Sequence, residues 1–214
     1  MHKMLAALVF VFISTIAKAE PLRITAFGDS LVHGYGLDSD QGLVPQLERW
    51  LNDNGADVVL TNAGVSGDTT AGGAARIDWT LGDKPQGLIV LLGGNDLLRG
   101  MRPDEAKANL STILSAARAQ GVEVLLIGML APGNFGPDYK AEFDAIYGDL
   151  AAEYGSLLFD DAFAGISAQV SGDPIAAQRY LQDDGIHPNA EGVALNVAAL
   201  GPVVLELAER ISSP

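Results

Sequence analysis

The chain has 214 residues, 48% of them apolar and 19% charged, with 25 glycines, no cysteine and a formal net charge of −14. That length supports one well-buried domain rather than two. The lack of cysteine excludes disulfides, thiolate metal sites and a cysteine nucleophile. An acidic surface repels nucleic acid and anionic membranes, so neither is expected as a partner.

Lys3, the apolar run 5–16 and Ala17-Lys18-Ala19 read as a cleavable secretory signal peptide over residues 1–19. The mature chain, residues 20–214, is then expected as a single domain in the periplasm or outside the cell. The leader's apolar core is shorter than the ~20 residues that span a bilayer, and no later segment is expected to be long enough. Without Lys3 and Lys18 the formal charge becomes −16. A monomer without stable membrane insertion is expected. His33 and His187 are the only histidines beyond the leader, so a histidine-rich metal site is not expected either.

In chain order, an apolar first strand runs from Ile24 and stops at Gly28-Asp29-Ser30. A serine just past the carboxyl end of a buried strand lies where open α/β sheets bind ligands, which makes Ser30 a candidate nucleophile. Asp29 or Ser30 serves equally as a helix cap. Leu43, Val44, Leu47, Trp50 and Leu51 then recur at helical spacing, with Ser39 and Asp40 as candidate caps and Gly55 as the stop.

Residues 56–62, rich in β-branched side chains, predict a second strand buried on both faces. It runs into Gly64-Val65-Ser66-Gly67-Asp68. A helix through Trp79 leads to a third strand over 87–92, which ends at Gly93-Gly94-Asn95-Asp96. Pro103 with Asp104 and Glu105 opens the next helix, and Gly121 closes it before a fourth strand over 122–130. The breaker-rich loop 131–137 follows.

A helix carrying Phe143, Ile146, Tyr147 and Leu150 precedes a fifth strand over 156–159. The stretch from Asp160 to Gln182 shows no sustained period, because Gly165, Gly172 and Pro174 interrupt it. After Asp183-Asp184-Gly185-Ile186-His187-Pro188-Asn189 comes a long helix that Pro202 is expected to bend. Strands alternating with helices call for a parallel sheet with right-handed crossovers. The fold class is α/β: a three-layer α/β/α sandwich on a five-stranded parallel, flavodoxin-like sheet.

Asp184 lies three residues before His187, close enough to accept the imidazole Nδ1 proton in a hydrogen bond and leave the other nitrogen to a serine. His33 is the competing base, three residues after Ser30. Acyl transfer also needs donors for an oxyanion, and the Ser30 and Gly67 backbone N–H groups and the Asn95 amide are candidates. Ordinary turn chemistry accounts equally for Gly67 and Asn95. The apolar residues Leu97, Leu98, Met101, Pro132 and Phe135 are candidates for a substrate groove.

Four blocks, FGDSL, NAGVSGDTT, LLGGNDLL and DDGIHPN, together resemble the SGNH or GDSL hydrolases. Within that family the chain is most similar to the bacterial exported acyl-CoA thioesterase, lysophospholipase and arylesterase enzymes. The resemblance implies Ser30 as nucleophile, Ser30, Gly67 and Asn95 as the oxyanion hole, His187 as base and Asp184, rather than Asp183, as its orienter. It implies no cofactor and a small acyl ester or thioester as substrate. A carbohydrate O-deacetylase and a noncatalytic binding module are the competing readings. The larger α/β-hydrolase fold expects G-x-S-x-G, and Val32 stands where its second glycine belongs.

Overall fold

A computed structural model describes residues 20–213. The expected signal peptide over 1–19 lies outside the described residues. Five strands, β1 (Leu22–Gly28), β2 (Val58–Gly64), β3 (Gly87–Leu91), β4 (Glu123–Ile127) and β5 (Leu157–Phe159), form one sheet in the order β2-β1-β3-β4-β5. Every pairing is parallel, with Phe27 opposite both Ala63 and Val90 and Val90 opposite Leu126. The fold is thus the expected α/β sandwich.

The helices are α1 (Ser30–His33), α2 (Leu43–Asp53), α3 (Thr70–Leu81), α4 (Gly94–Leu98), α5 (Pro103–Ala119), α6 (Pro137–Tyr154), α7 (Ala164–Gln169), α8 (Pro174–Ala177) and α9 (Ala190–Ser212). α3, α5 and α6 pack together as one layer, and α2, α7 and α9 as another. Central strands β1, β3 and β4 are buried nearly throughout, because helices cover both their faces.

β2 departs from expectation. It is an edge strand with Val59, Thr61 and Asn62 exposed. Its β-branched composition suits any strand, and only the crossover order puts it at the rim. α2 starts at Gly42 without a side-chain cap, so Ser39 and Asp40 do not cap it. The unread stretch 160–182 folds into α7, α8 and a 3₁₀ turn, Gln178–Tyr180.

α9 runs unbroken through Pro202. Contrary to the sequence expectation, this helix is long and apolar enough to cross a membrane by length and composition, with a mean hydropathy of 1.5. Its stripe of Val193, Val197, Leu200, Val204 and Leu207 is buried in the core beside the sheet. Those side chains give it the apolar character that a soluble core helix and a membrane span share.

Candidate active site

Strand order reverses between β1 and β3, and the crevice at the carboxyl ends of such a pair is where α/β sheets take ligands. Asp29 caps α1 there, its Oδ1 accepting the Leu31 N–H at 3.0 Å, so Ser30 becomes the first helical residue. The turn into α1 is tight. A Cβ at Gly28 would lie 2.4 Å from the Leu91 carbonyl oxygen and 2.4 Å from Val32 Cγ2. Gly28→Ala is therefore expected to lower stability by about 1–3 kcal/mol, the usual cost of overpacking. An unchanged denaturation midpoint would show that α1 shifts freely against β3.

His187 approaches from the loop before α9. Gln182 holds that loop: its N–H donates to the His187 carbonyl at 2.8 Å, and its Nε2 donates to the carbonyls of Tyr35 and Pro188. His187 Nε2 stands 2.8 Å from Ser30 Oγ, and Nδ1 stands 2.6 Å from Asp184 Oδ2. Asp184 Oδ1 accepts the backbone N–H groups of Ile186 and His187 at 2.9 and 3.0 Å.

The His187 backbone N–H, then its side chain, then the Ile186 N–H hold the Asp184 carboxyl down at about 2. Asp184 thus stays a carboxylate across the working pH range. A carboxylate only accepts, so Nδ1 carries the proton and the Nε2 lone pair faces the Ser30 hydroxyl. Asp184 rather than Asp183 makes this contact. His33 is not the base: its Nδ1 lies 3.2 Å from Ser66 Oγ instead.

Gly67 sits in the turn after β2 with φ of +81°, a conformation glycine adopts without strain. Arg76 on α3 pins this turn. Its Nε donates to Asp68 Oδ2 at 2.8 Å, Nη1 to the Ala63 carbonyl and Nη2 to the Gly28 carbonyl, and its guanidinium lies 3.9 Å over the Phe27 ring. One planar fork thereby ties the carboxyl ends of β1 and β2 to the residue after Gly67. Asn95, in the first turn of α4, is followed by fully buried Asp96, which accepts the Thr70 N–H and hydroxyl at 2.9 and 2.6 Å. The loops bearing Gly67 and Asn95 are thus fastened to each other.

Ser30, Gly67, Asn95 and His187 line one open cleft of about 400 Å³. Leu97, Leu98 and Pro132 line it as expected; Met101 and Phe135 do not. The Met101 carbonyl accepts the Tyr139 hydroxyl, and the Phe135 ring packs on Tyr139 at 5.1 Å, so both belong to the wall behind. The sequence reading missed Tyr35, Met129, Leu130, Phe163 and Ile186 in the lining. Tyr35, five residues past Ser30 and 4.8 Å ring to ring from His187, is the one that proximity to the nucleophile could have suggested. A smaller cavity of about 40 Å³ lies behind Ser30 and His187 against Leu43, Val193 and Leu200. Among the described residues, no cluster of three His, Asp or Glu side chains is placed to hold a metal ion.

The chain is also similar to known proteins. Residues 26–195 match the model of the GDSL-like Lipase/Acylhydrolase family. Esterase TesA of Pseudomonas aeruginosa PAO1 is 40% identical over 182 residues, 85% of this chain and 86% of that protein. Thioesterase 1/protease 1/lysophospholipase L1 of Escherichia coli K12 is 32% identical over 184 residues, 85% of this chain and 83% of that protein. The solved structure of AlinE4, an SGNH-hydrolase family esterase, superimposes with a TM-score of 0.71 at 43% identity, covering 89% of this chain and 98% of the other. A family match across most of the chain, relatives that are esterases and the close superposition on a solved family member lead to one assignment: the chain belongs to the GDSL or SGNH family of esterases and acylhydrolases.

Proposed function

We propose that this esterase cleaves carboxylic esters, and thioesters, of apolar acyl groups through an acyl-enzyme on Ser30. The carrying observation is the line Asp184 Oδ2, His187, Ser30 Oγ, with contacts of 2.6 and 2.8 Å, at the floor of a cleft walled by leucine, methionine and proline. Ser30 Oγ adds to the carbonyl carbon as its proton passes to His187 Nε2, giving a tetrahedral oxyanion. The Ser30 and Gly67 N–H groups and the Asn95 amide receive that negative charge. Collapse expels the alcohol or thiol, which takes the proton from His187. Water then repeats the sequence on the acyl-enzyme.

The apolar wall favours acyl chains over sugar acetates, whose polar rings would lose hydrogen bonds to water there. The leader-like residues 1–19 support an exported enzyme. The test is a panel of p-nitrophenyl esters of short and long acyl chains, acyl-CoA thioesters and acetylated xylan. Preference for the acylated xylan would overturn the reading.

Leu98 and Leu130 line the cleft yet are 60% and 51% exposed, so they can be changed with little effect on folding. Burying a leucine-sized surface is worth about 1.5–3 kcal/mol. Leu98→Asp with Leu130→Asp should thus cut kcat/KM on long-chain esters by about ten- to a hundredfold and spare acetate esters. An unchanged chain-length profile would place the acyl chain elsewhere.

A further inference from the structure

Asp29 is a buried ionisable group of the site that the proposed acyl transfer does not use. It is 2% exposed and directly precedes Ser30, and its two oxygens have different partners. Oδ1 accepts the Leu31 N–H at 3.0 Å, and Oδ2 faces Asn95 Nδ2 at 3.5 Å. Among the described residues, no other group holds the Asn95 amide. An amide has a donating and an accepting end that exchange places by rotation about its last bond, whereas a carboxylate accepts at both oxygens.

We propose that Asp29 is a positioning residue: its carboxylate holds Asn95 in the rotamer that presents the NH₂ group, not the carbonyl oxygen, to the oxyanion. One amide hydrogen goes to Asp29 and the other is left for the reacting oxygen. The proposal rests on the acyl-transfer reading above.

The charge state fits this role. Burial pushes Asp29 up to about 6, while the Leu31 N–H, the charge of His187 and the Asn95 amide pull it down and Asp68 pushes it further up. Burial, then the charges of Asp96 and Asp29, raise the phenol of Tyr147, which donates to the Leu92 carbonyl. Asp29 is therefore ionised at pH 8. There the carboxylate burdens the fold: the folded chain binds the proton more tightly than the unfolded one, so stability falls as pH rises from about 3.8 to about 6 and stays lower above.

Asp29→Asn separates positioning from capping. The new amide keeps an oxygen for the Leu31 N–H, which sets its own NH₂ against that of Asn95. Two donors cannot pair, so Asn95 turns over and offers its carbonyl oxygen to the oxyanion. At pH 8 kcat should fall about 10²–10³-fold, as it should in Asn95→Ala, with KM little changed. The double variant should be no slower than Asn95→Ala alone, because both changes remove one interaction. The melting midpoint at pH 8 should equal or exceed that of the wild type.

A wild-type kcat in Asp29→Asn, or losses that multiply in the double variant, would overturn the proposal. So would a lowered melting midpoint with activity loss matching the unfolded fraction, which would leave Asp29 a cap alone. Turnover that survives Ser30→Ala would instead defeat the acyl-transfer reading, so the two failures are distinguishable.

Discussion

Ser30→Ala is expected to lower kcat on every ester and thioester by about 10⁶-fold while KM stays within a few-fold, the pattern of a nucleophile removed from a triad. Among the described residues, Ser30 Oγ has one hydrogen-bond partner, His187 Nε2, and the backbone that closes α1 does not depend on it. The variant should therefore melt with the wild type. Some catalysis over water should persist, because the Gly67 and Asn95 donors remain. A fluorophosphonate should label the wild type at Ser30 and leave the variant unmodified. Turnover retained in Ser30→Ala would mean that His187 activates water directly, and no acyl-enzyme would form.

The residues at this centre are legible in the sequence because four short blocks occur together and resemble one family; taken singly, cap and turn chemistry accounts equally well for Ser30, Gly67 and Asn95. Asp184 and His187 are the pair that local spacing alone brings together, three residues apart in one loop. The cleft wall is another matter. Phe163 and Ile186 reach it from segments whose position is set by contacts such as Gln182 with the Tyr35 carbonyl, 147 residues apart. No periodicity within 160–182 encodes such a contact.

The edge position of β2 is hidden for a related reason: strand order is decided by crossovers, whereas composition reports only that a segment is extended. Hydropathy likewise averages over both faces of α9, so a stripe packed into the core and an outer face of alanine and leucine together pass for a span. Asp29 reads in sequence as a helix cap, which it is. Its second oxygen gains meaning only when the fold brings Asn95, 66 residues away, to face it.

Asp184→Asn is expected to cost about 10⁴-fold in kcat, more than Asp184→Ala, although asparagine is the closer mimic. In the wild type one oxygen is occupied by the Ile186 and His187 N–H groups and the other by Nδ1–H. An asparagine keeps its oxygen for the two backbone donors and turns its NH₂ toward Nδ1. That nitrogen must then accept, which moves the ring proton to Nε2 and aims it at Ser30 Oγ. The base is present in place but in the wrong tautomer; the 10⁴-fold figure is the one known for the equivalent change in a serine protease triad.

Alanine imposes no tautomer. The Asp184 side chain is 35% exposed, so water can enter and accept from Nδ1–H, which limits the loss. Measuring kcat for both variants beside the wild type tests the ordering. If Asp184→Asn proves the more active of the two, Asp184 contributes chiefly its negative charge to the imidazolium and not the choice of tautomer. Asp29 would obey the same logic on the other flank of Ser30. Each carboxylate makes a neighbouring side chain present an N–H to it, by choice of tautomer at His187 and by choice of rotamer at Asn95, and replacing either by its amide reverses the polarity of the hydrogen bond while barely changing its shape.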